Sequence, residues 1–130
     1  MNIAFISGHL SLTADEFNQH YRPLIFKAIM EDCDFVVGDA PGADAMAQAY
    51  LKEWREKGHL FKVTVYHMLE TPRHNVGHFP TRGGYATNTA KDKAMTQAST
   101  FDIAWVRPGK ENSGTARNIQ RRHAMGNGDR

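Results

Sequence analysis

Apolar residues recur along this chain with two different periods, and segments of the two kinds take turns. Ile3-Ala4-Phe5-Ile6, Phe35-Val36-Val37 and Phe101-Asp102-Ile103-Ala104-Trp105-Val106 are short apolar runs with the aromatic and β-branched content of buried strands, and Lys62-Val63-Thr64-Val65-Tyr66 alternates like one. Strands are therefore expected over residues 2–6, 34–38, 62–66 and 101–106. Between them the spacing changes to three and four. Thr13 followed by Glu16 has capping-box spacing, so a helix should start near Ala14 and bury Phe17, Tyr21, Leu24, Ile25, Ala28 and Ile29. Pro23 must kink that helix or open a second one. A further helix over residues 43–57 carries Met46, Ala47, Tyr50, Leu51 and Trp54 on one side, and Gly58 stops it. Residues 86–98 read as a helix with Ala90, Ala94, Met95 and Ala98 inward, and a last one opens at Ser113-Gly114-Thr115 and runs to about Met125.

Strands and helices in strict succession predict an α/β fold, a three-layer Rossmann-like domain over residues 1–125 with a mostly parallel sheet of four or five strands. Residues 126–130, Gly-Asn-Gly-Asp-Arg, read as a flexible terminus. From 67 to 85 no period is sustained, and Pro72, Gly77, Pro80, Gly83 and Gly84 interrupt any element. A loop of that length in a compact domain is more often functional than idle.

The eight residues Gly38-Asp39-Ala40-Pro41-Gly42-Ala43-Asp44-Ala45 join a strand to a helix and read as a phosphate loop. Pro41 has no N–H to leave unpaired, Gly42 lets a ligand come close to the backbone, and the first helical N–H groups make an anion site. An ordinary βα turn containing a glycine accounts for the same residues. Ser7-Gly8-His9 ends the first strand in the same manner, and Ser113, Gly114 and Thr115 precede the last helix with hydroxyls and free N–H groups. In an open parallel sheet the ligand lies beyond the carboxyl ends of the strands, where strand order reverses. With the first strand central, the second and third on one side and the fourth on the other, residues 7–10, 38–44 and 107–115 surround a single crevice.

Strand, GDAPGADAMAQAYL, strand, KDKAMTQAS, FDIAWV and then SGTARNI together resemble the SLOG superfamily of Rossmann-like domains, and within it the YspA-like branch. The resemblance spans about residues 2–125 and rests on Gly42-Ala43-Asp44 together with Ser113-Gly114-Thr115. It implies a ligand that is a nucleotide or nucleotide-derived small molecule, and a homo-oligomer. The Lonely Guy branch and the related deoxyribosyltransferases cleave N-glycosidic bonds, which makes an N-glycosidase, or a phosphoribosyl or deoxyribosyl transferase acting on nucleoside monophosphates, the alternative activity. Those enzymes place a glutamate about three residues after the Gly-Thr, where this chain has Asn118. An amide carries no charge to offset an oxocarbenium-like transition state and is a poor nucleophile. Binding, as a sensor or sequestering protein, is therefore the first expectation. In an enzyme, Asp44 or Glu111 would have to supply the carboxylate. Each has a quieter explanation: Asp44 suits a helix N-terminus, Asp39 an Asx turn, and Glu111 a solvated loop tip.

Arg82 in the long loop and Arg117 at the start of the last helix offer planar forks for phosphate. Phe79 and Tyr85 could stack on a base as a lid. His67, His74 and His78 lack the helix and the accompanying carboxylate that a metal site would need, so neither metal nor cofactor is expected. Arg117, Arg121, Arg122 and His123 read as a solvated helix face. Sixteen Lys and Arg against fourteen Asp and Glu give a charge of +2, too small for long-range capture of nucleic acid. With the lone Cys33, no basic leader and no run of eighteen apolar residues, a cytoplasmic protein without a membrane span is expected.

Overall fold

The computed structural model describes residues 1–126; the expected flexible tail lies, from 127 onward, outside them. Five strands form one all-parallel sheet: β1 (Ile3–Ile6), β2 (Asp34–Val37), β3 (Val63–Met68), β4 (Thr81–Tyr85) and β5 (Phe101–Ile103), in the order β4-β3-β2-β1-β5. Helices α1 (Ala14–His20), α2 (Arg22–Met30) and α3 (Ala43–Glu56) cover one face, and α4 (Asn88–Ala98) and α5 (Gly114–Ala124) the other. This is a three-layer, Rossmann-like α/β fold. The alternation of the pleat assigns the core. Ala4, Ile6, Phe35, Val37, Val63 and Val65 point to α1–α3, while Phe5, Val36 and Tyr66 meet Met95 of α4. The two faces are unequal, and the larger cluster lies under α1–α3.

Pro23 separates two helices. Tyr21 ends α1 and precedes α2, and Pro23 falls in the first turn of α2, where its missing N–H costs nothing. The capping box forms as spaced: Thr13 Oγ1 accepts from the Glu16 N–H at 3.1 Å and Glu16 Oε1 from the Thr13 N–H at 2.9 Å. Leu24, expected inside, is 48% exposed, because Ile25, Ala28 and Ile29 take the buried stripe.

The stretch 67–85 contains more structure than its glycines predict. β3 continues through Met68, and Thr81–Tyr85 adds a parallel edge strand, the fifth. The glycines permit this strand. A Cβ on Gly83 would overlap the His67 ring, and Gly84 takes φ +91° at a register shift opposite Tyr66 and Met68. Residues 69–80 make the crossover between the two parallel strands, with Phe79 buried in the larger core.

Strand β5 stops at Ile103 rather than running to Val106. Beyond it the backbone bonds to side chains: the Trp105 N–H donates to Tyr21 Oη at 3.0 Å and the Arg107 N–H to His9 Nε2 at 2.9 Å. Helix α4 begins two residues later than expected, at a Thr87 cap. Its buried face is Lys91, Met95 and Thr96, whereas Ala90 is exposed. Among the described residues no helix is long and apolar enough to cross a membrane.

Candidate functional site

Strand order reverses between β1 and β5, and a cleft of about 490 Å³ opens there beyond the strand ends. Its wall brings together Ser7, Gly8 and His9 after β1, Gly38, Ala40 and Asp44 around the start of α3, and Ser113, Gly114, Thr115, Arg117 and Asn118 at the start of α5. The first turns of α4 supply Asn88, Lys91 and Asp92, and the crossover segment supplies Arg73.

The loop after β2 is used differently from the sequence reading. Gly42 has φ +78°, and a Cβ there would strike the His9 and Leu10 carbonyls, the former at 2.5 Å. Ala43 donates its N–H to the His9 carbonyl at 3.1 Å. The close approach at Gly42 is thus to the chain's own first loop, and neither Gly42 nor Ala43 lines the cleft. Asp39 is also withdrawn: its buried carboxylate takes the Arg73 backbone N–H at 2.8 Å and the guanidinium Nη2 at 3.0 Å. Burial works to raise the Asp39 pKa, but the bonds to Arg73 prevail and hold it below the ordinary value.

Gly38 fits the role of close approach within the cleft. A Cβ on it would stand 2.5 Å from Asp44 Oδ2 and 3.3 Å from Lys91 Nζ, so both side chains occupy the space that the glycine leaves. Asp44 also accepts from the Ala40 N–H at 3.1 Å. Removal from water is the largest influence on its carboxyl and, despite Lys91, pushes its pKa up to about 7.

Helix α5 meets the cleft with an open end. Ser113 Oγ caps the Ala116 N–H at 3.2 Å, while the Gly114 and Thr115 N–H groups find no partner among the described residues. A Cβ on Gly114 would touch only Arg117 Nη2, at 3.7 Å, so a ligand can come close to the backbone here. Arg117 is braced on the Asn112 carbonyl at 2.7 Å, and Lys110 stands nearby in the wall. Asn118 is buried: its Oδ1 accepts from Arg121 Nη1 at 2.7 Å, and its side chain lies beside Asp92. Burial raises the Asp92 pKa, with Lys91, Arg121 and Asn118 opposing it.

His9 is held neutral. Burial lowers its pKa first and the Arg107 and Lys110 charges lower it further, and its Nε2 accepts the Arg107 N–H, which leaves the ring proton on Nδ1.

Four further expected contributors lie elsewhere. Glu111 is an exposed turn residue whose Oε2 accepts the Gly109 N–H at 3.0 Å, outside the cleft wall. Arg82 is on exposed edge strand β4, against Tyr66. Phe79 is core and Tyr85 stacks on Tyr66, with ring centroids 6.1 Å apart, so neither covers the cleft. The basic face of α5 is also not uniformly solvated. Arg122 is buried, donating to the Thr96 and Ser99 carbonyls and, at 3.0 Å, to Asp102 Oδ1. Among the described residues no group of three or more His, Cys, Asp or Glu could hold a metal ion.

Lys91, Asp92, Arg73 and Arg121 also belong to the wall, and the sequence singles out none of them as a site residue. Lys91 carried a readable signal, because it lies four residues before Met95 on an otherwise apolar stripe. No protein-family model, curated protein or solved structure matches the chain. The cleft is read from its own chemistry. Arg73, Lys91, Lys110, Arg117 and Arg121 outnumber Asp44 and Asp92 in the wall, so it suits an anion.

Proposed function

We propose that this cleft binds a nucleotide or nucleotide-derived small molecule, with a phosphate seated on the N-terminus of α5. The observation that carries the reading is the pair of partnerless N–H groups at Gly114 and Thr115, flanked by Arg117 and Lys110 in a net cationic wall. The resemblance of Gly42-Ala43-Asp44 and Ser113-Gly114-Thr115 to the SLOG superfamily supports the nucleotide part. Native mass spectrometry of the freshly purified protein, with thermal shift against a nucleotide panel, tests it. A retained or stabilising phosphorylated nucleoside is the expected result; an empty protein that no member of the panel stabilises overturns it.

A second reading, hydrolysis of the N-glycosidic bond of a nucleoside monophosphate, is favoured by one observation. Asp92 lies beside Asn118 in the wall, so a carboxyl group stands in the cleft next to the amide that takes the place of the enzymes' glutamate. In this reading Asp44, whose carboxyl pKa burial raises to about 7, is the acid that protonates the departing base. This reading requires release of free base from a nucleoside monophosphate, abolished in both Asp92→Asn and Asp44→Asn. Absence of release across the common bases rejects it.

A further inference from the structure

Lys91 is the group in the cleft that the reading above leaves unexplained. Its side chain is 6% exposed, yet its nearest carboxylate oxygen, Asp92 Oδ1, is 3.9 Å away, and no hydrogen bond to its Nζ forms among the described residues. Ser7 Oγ, in the same wall, is buried and has no hydrogen-bond partner among the described residues. A buried hydroxyl with no partner costs free energy that a ligand oxygen would recover, and the Lys91 ammonium, on a side chain almost wholly buried in the same wall, has donor capacity left for that ligand. Gly38 leaves room for this arrangement, since any side chain there would displace Asp44 and crowd Lys91.

Resting on the proposed phosphate seat at α5, we infer that Lys91 Nζ and Ser7 Oγ form an inner subsite for a second phosphate of the same molecule, making the ligand class a bisphosphorylated nucleoside or pentose.

A second phosphate is compatible with Asp44 beside it only when that carboxyl is protonated. Asp44 is faced by Lys91 and Asp92 from α4, by Asp39 from its own loop, by Arg73 from the crossover and by Tyr21 from the end of α1. Its pKa near 7, raised by burial, makes that form accessible at neutral pH, so affinity for the inner phosphate strengthens as pH falls from 8 to 6.

Calorimetric titration of the full chain distinguishes the possibilities. The probes are adenosine and guanosine 5′-monophosphates against their 3′,5′-bisphosphates, and ribose 5-phosphate against ribose 1,5-bisphosphate. At least one bisphosphate should bind roughly ten- to a hundredfold more tightly than its monophosphate, the range expected for a charge-assisted contact. Lys91→Met should erase that preference, and Lys91→Arg should keep part of it. Arg117→Gln should weaken both members of a pair alike. Circular dichroism and the thermal midpoint of each variant confirm folding. Equal affinity within every pair, or a preference that survives Lys91→Met, overturns the inference and leaves the phosphate seat standing. Binding of no probe at all removes the seat and the inference together.

Discussion

Arg73 grips the carboxylate of Asp39 with its backbone N–H at 2.8 Å and with guanidinium Nη2 at 3.0 Å, fastening the crossover before β4 to the loop after β2. The pair is lopsided, since the Asp39 side chain is 2% exposed and that of Arg73 49%. Gln48 secures the same crossover by donating to the His74 carbonyl at 3.1 Å and accepting from the Val76 N–H at 3.2 Å. Asp39→Ala removes the buried partner, and the half-exposed arginine returns to water, so the expected loss is modest, about 1–2 kcal/mol. Urea denaturation measures it, and hydrogen exchange should show faster opening confined to residues 69–80. Because Arg73 depresses the Asp39 pKa, this contribution is present above the ordinary carboxylate range and is lost as pH falls through the depressed value.

Three glycines of the loops after β1 and β2 should respond differently to alanine. At Gly42 the obstacle is backbone, the Leu10 and His9 carbonyls, and φ is +78°, so Gly42→Ala should cost roughly 2–4 kcal/mol. At Gly8 the obstacles are Tyr21 Oη and, at 2.5 Å, Ala43 Cβ, which gives an overpacking cost of about 1–3 kcal/mol. At Gly38 the obstacles are the ends of two side chains, Asp44 and Lys91, which can swing away. Gly38→Ala should therefore lower stability by less than about 1 kcal/mol while greatly weakening ligand binding. Denaturation midpoints for all three, set beside ligand affinity for Gly38→Ala, check the order. A Gly38→Ala variant that binds as well as the parent would remove Asp44 and Lys91 from the site.

The contrast between Gly42 and Gly38 also indicates how far the sequence could be read. Periodicity located four of the five strands, β1, β2, β3 and β5, and the helices, because each apolar stripe answers to its own pleat or turn. The order of those four strands was the premise from which a single crevice was expected, and the sheet has that order. Strand β4 was hidden because Thr81-Arg82-Gly83-Gly84-Tyr85 has no apolar pattern; its pairing depends on Gly83 clearing the His67 ring, a contact between distant positions. The cleft was legible where it is built from strand ends and helix starts. It was illegible at Asp92, which lies inside a helix and becomes a wall residue only because α4 crosses behind β1 and β2, and at Lys91 the single signal was a cation on an otherwise apolar stripe. Glu111 and Arg82 show the converse, in that a suitable side chain on a loop or edge strand says nothing of where that segment is carried.

Arg122 and Asp102 join α5 to β5 away from the cleft opening. Side-chain exposure is 3% and 11%, and Arg122 also bonds the Ser99 carbonyl at 3.0 Å, closing the C-terminal end of α4. Removing one member of a buried pair strands the other, so Arg122→Ala should destabilise by about 3–5 kcal/mol. The double variant Arg122→Met, Asp102→Leu leaves no buried charge and should recover most of that loss. Chemical denaturation of the two single variants and the double variant tests the coupling. Additive losses would place the importance of Arg122 in its backbone contacts.

The carboxyl of Asp44 should reveal itself in the pH dependence of stability of the ligand-free protein. Burial raises its pKa from 3.8 to about 7 in the folded chain. Between those values the unfolded chain releases the proton and the folded chain keeps it, so Asp44 makes stability fall as pH rises from about 4 to about 7. Below that window both states are protonated and Asp44 contributes no change. Above it the full cost is present, at most about 4 kcal/mol. Burial raises Asp92 and Asp102 in the same sense, whereas Glu16, bonded by Arg107 and brought to about 2, and Asp39 act in the opposite one. Only the difference between the wild-type protein and Asp44→Asn therefore isolates the group. Asn118 and Lys91 remain in place in that variant, and the asparagine Oδ1 can still accept the Ala40 N–H. Asp44→Asn should match the wild type at pH 4 and exceed it increasingly up to pH 8. Parallel stability curves across that range would mean that water reaches Asp44 and that its carboxyl is charged in the resting cleft. The acid role in base release and the strengthening of inner-phosphate binding at lower pH would then both fail.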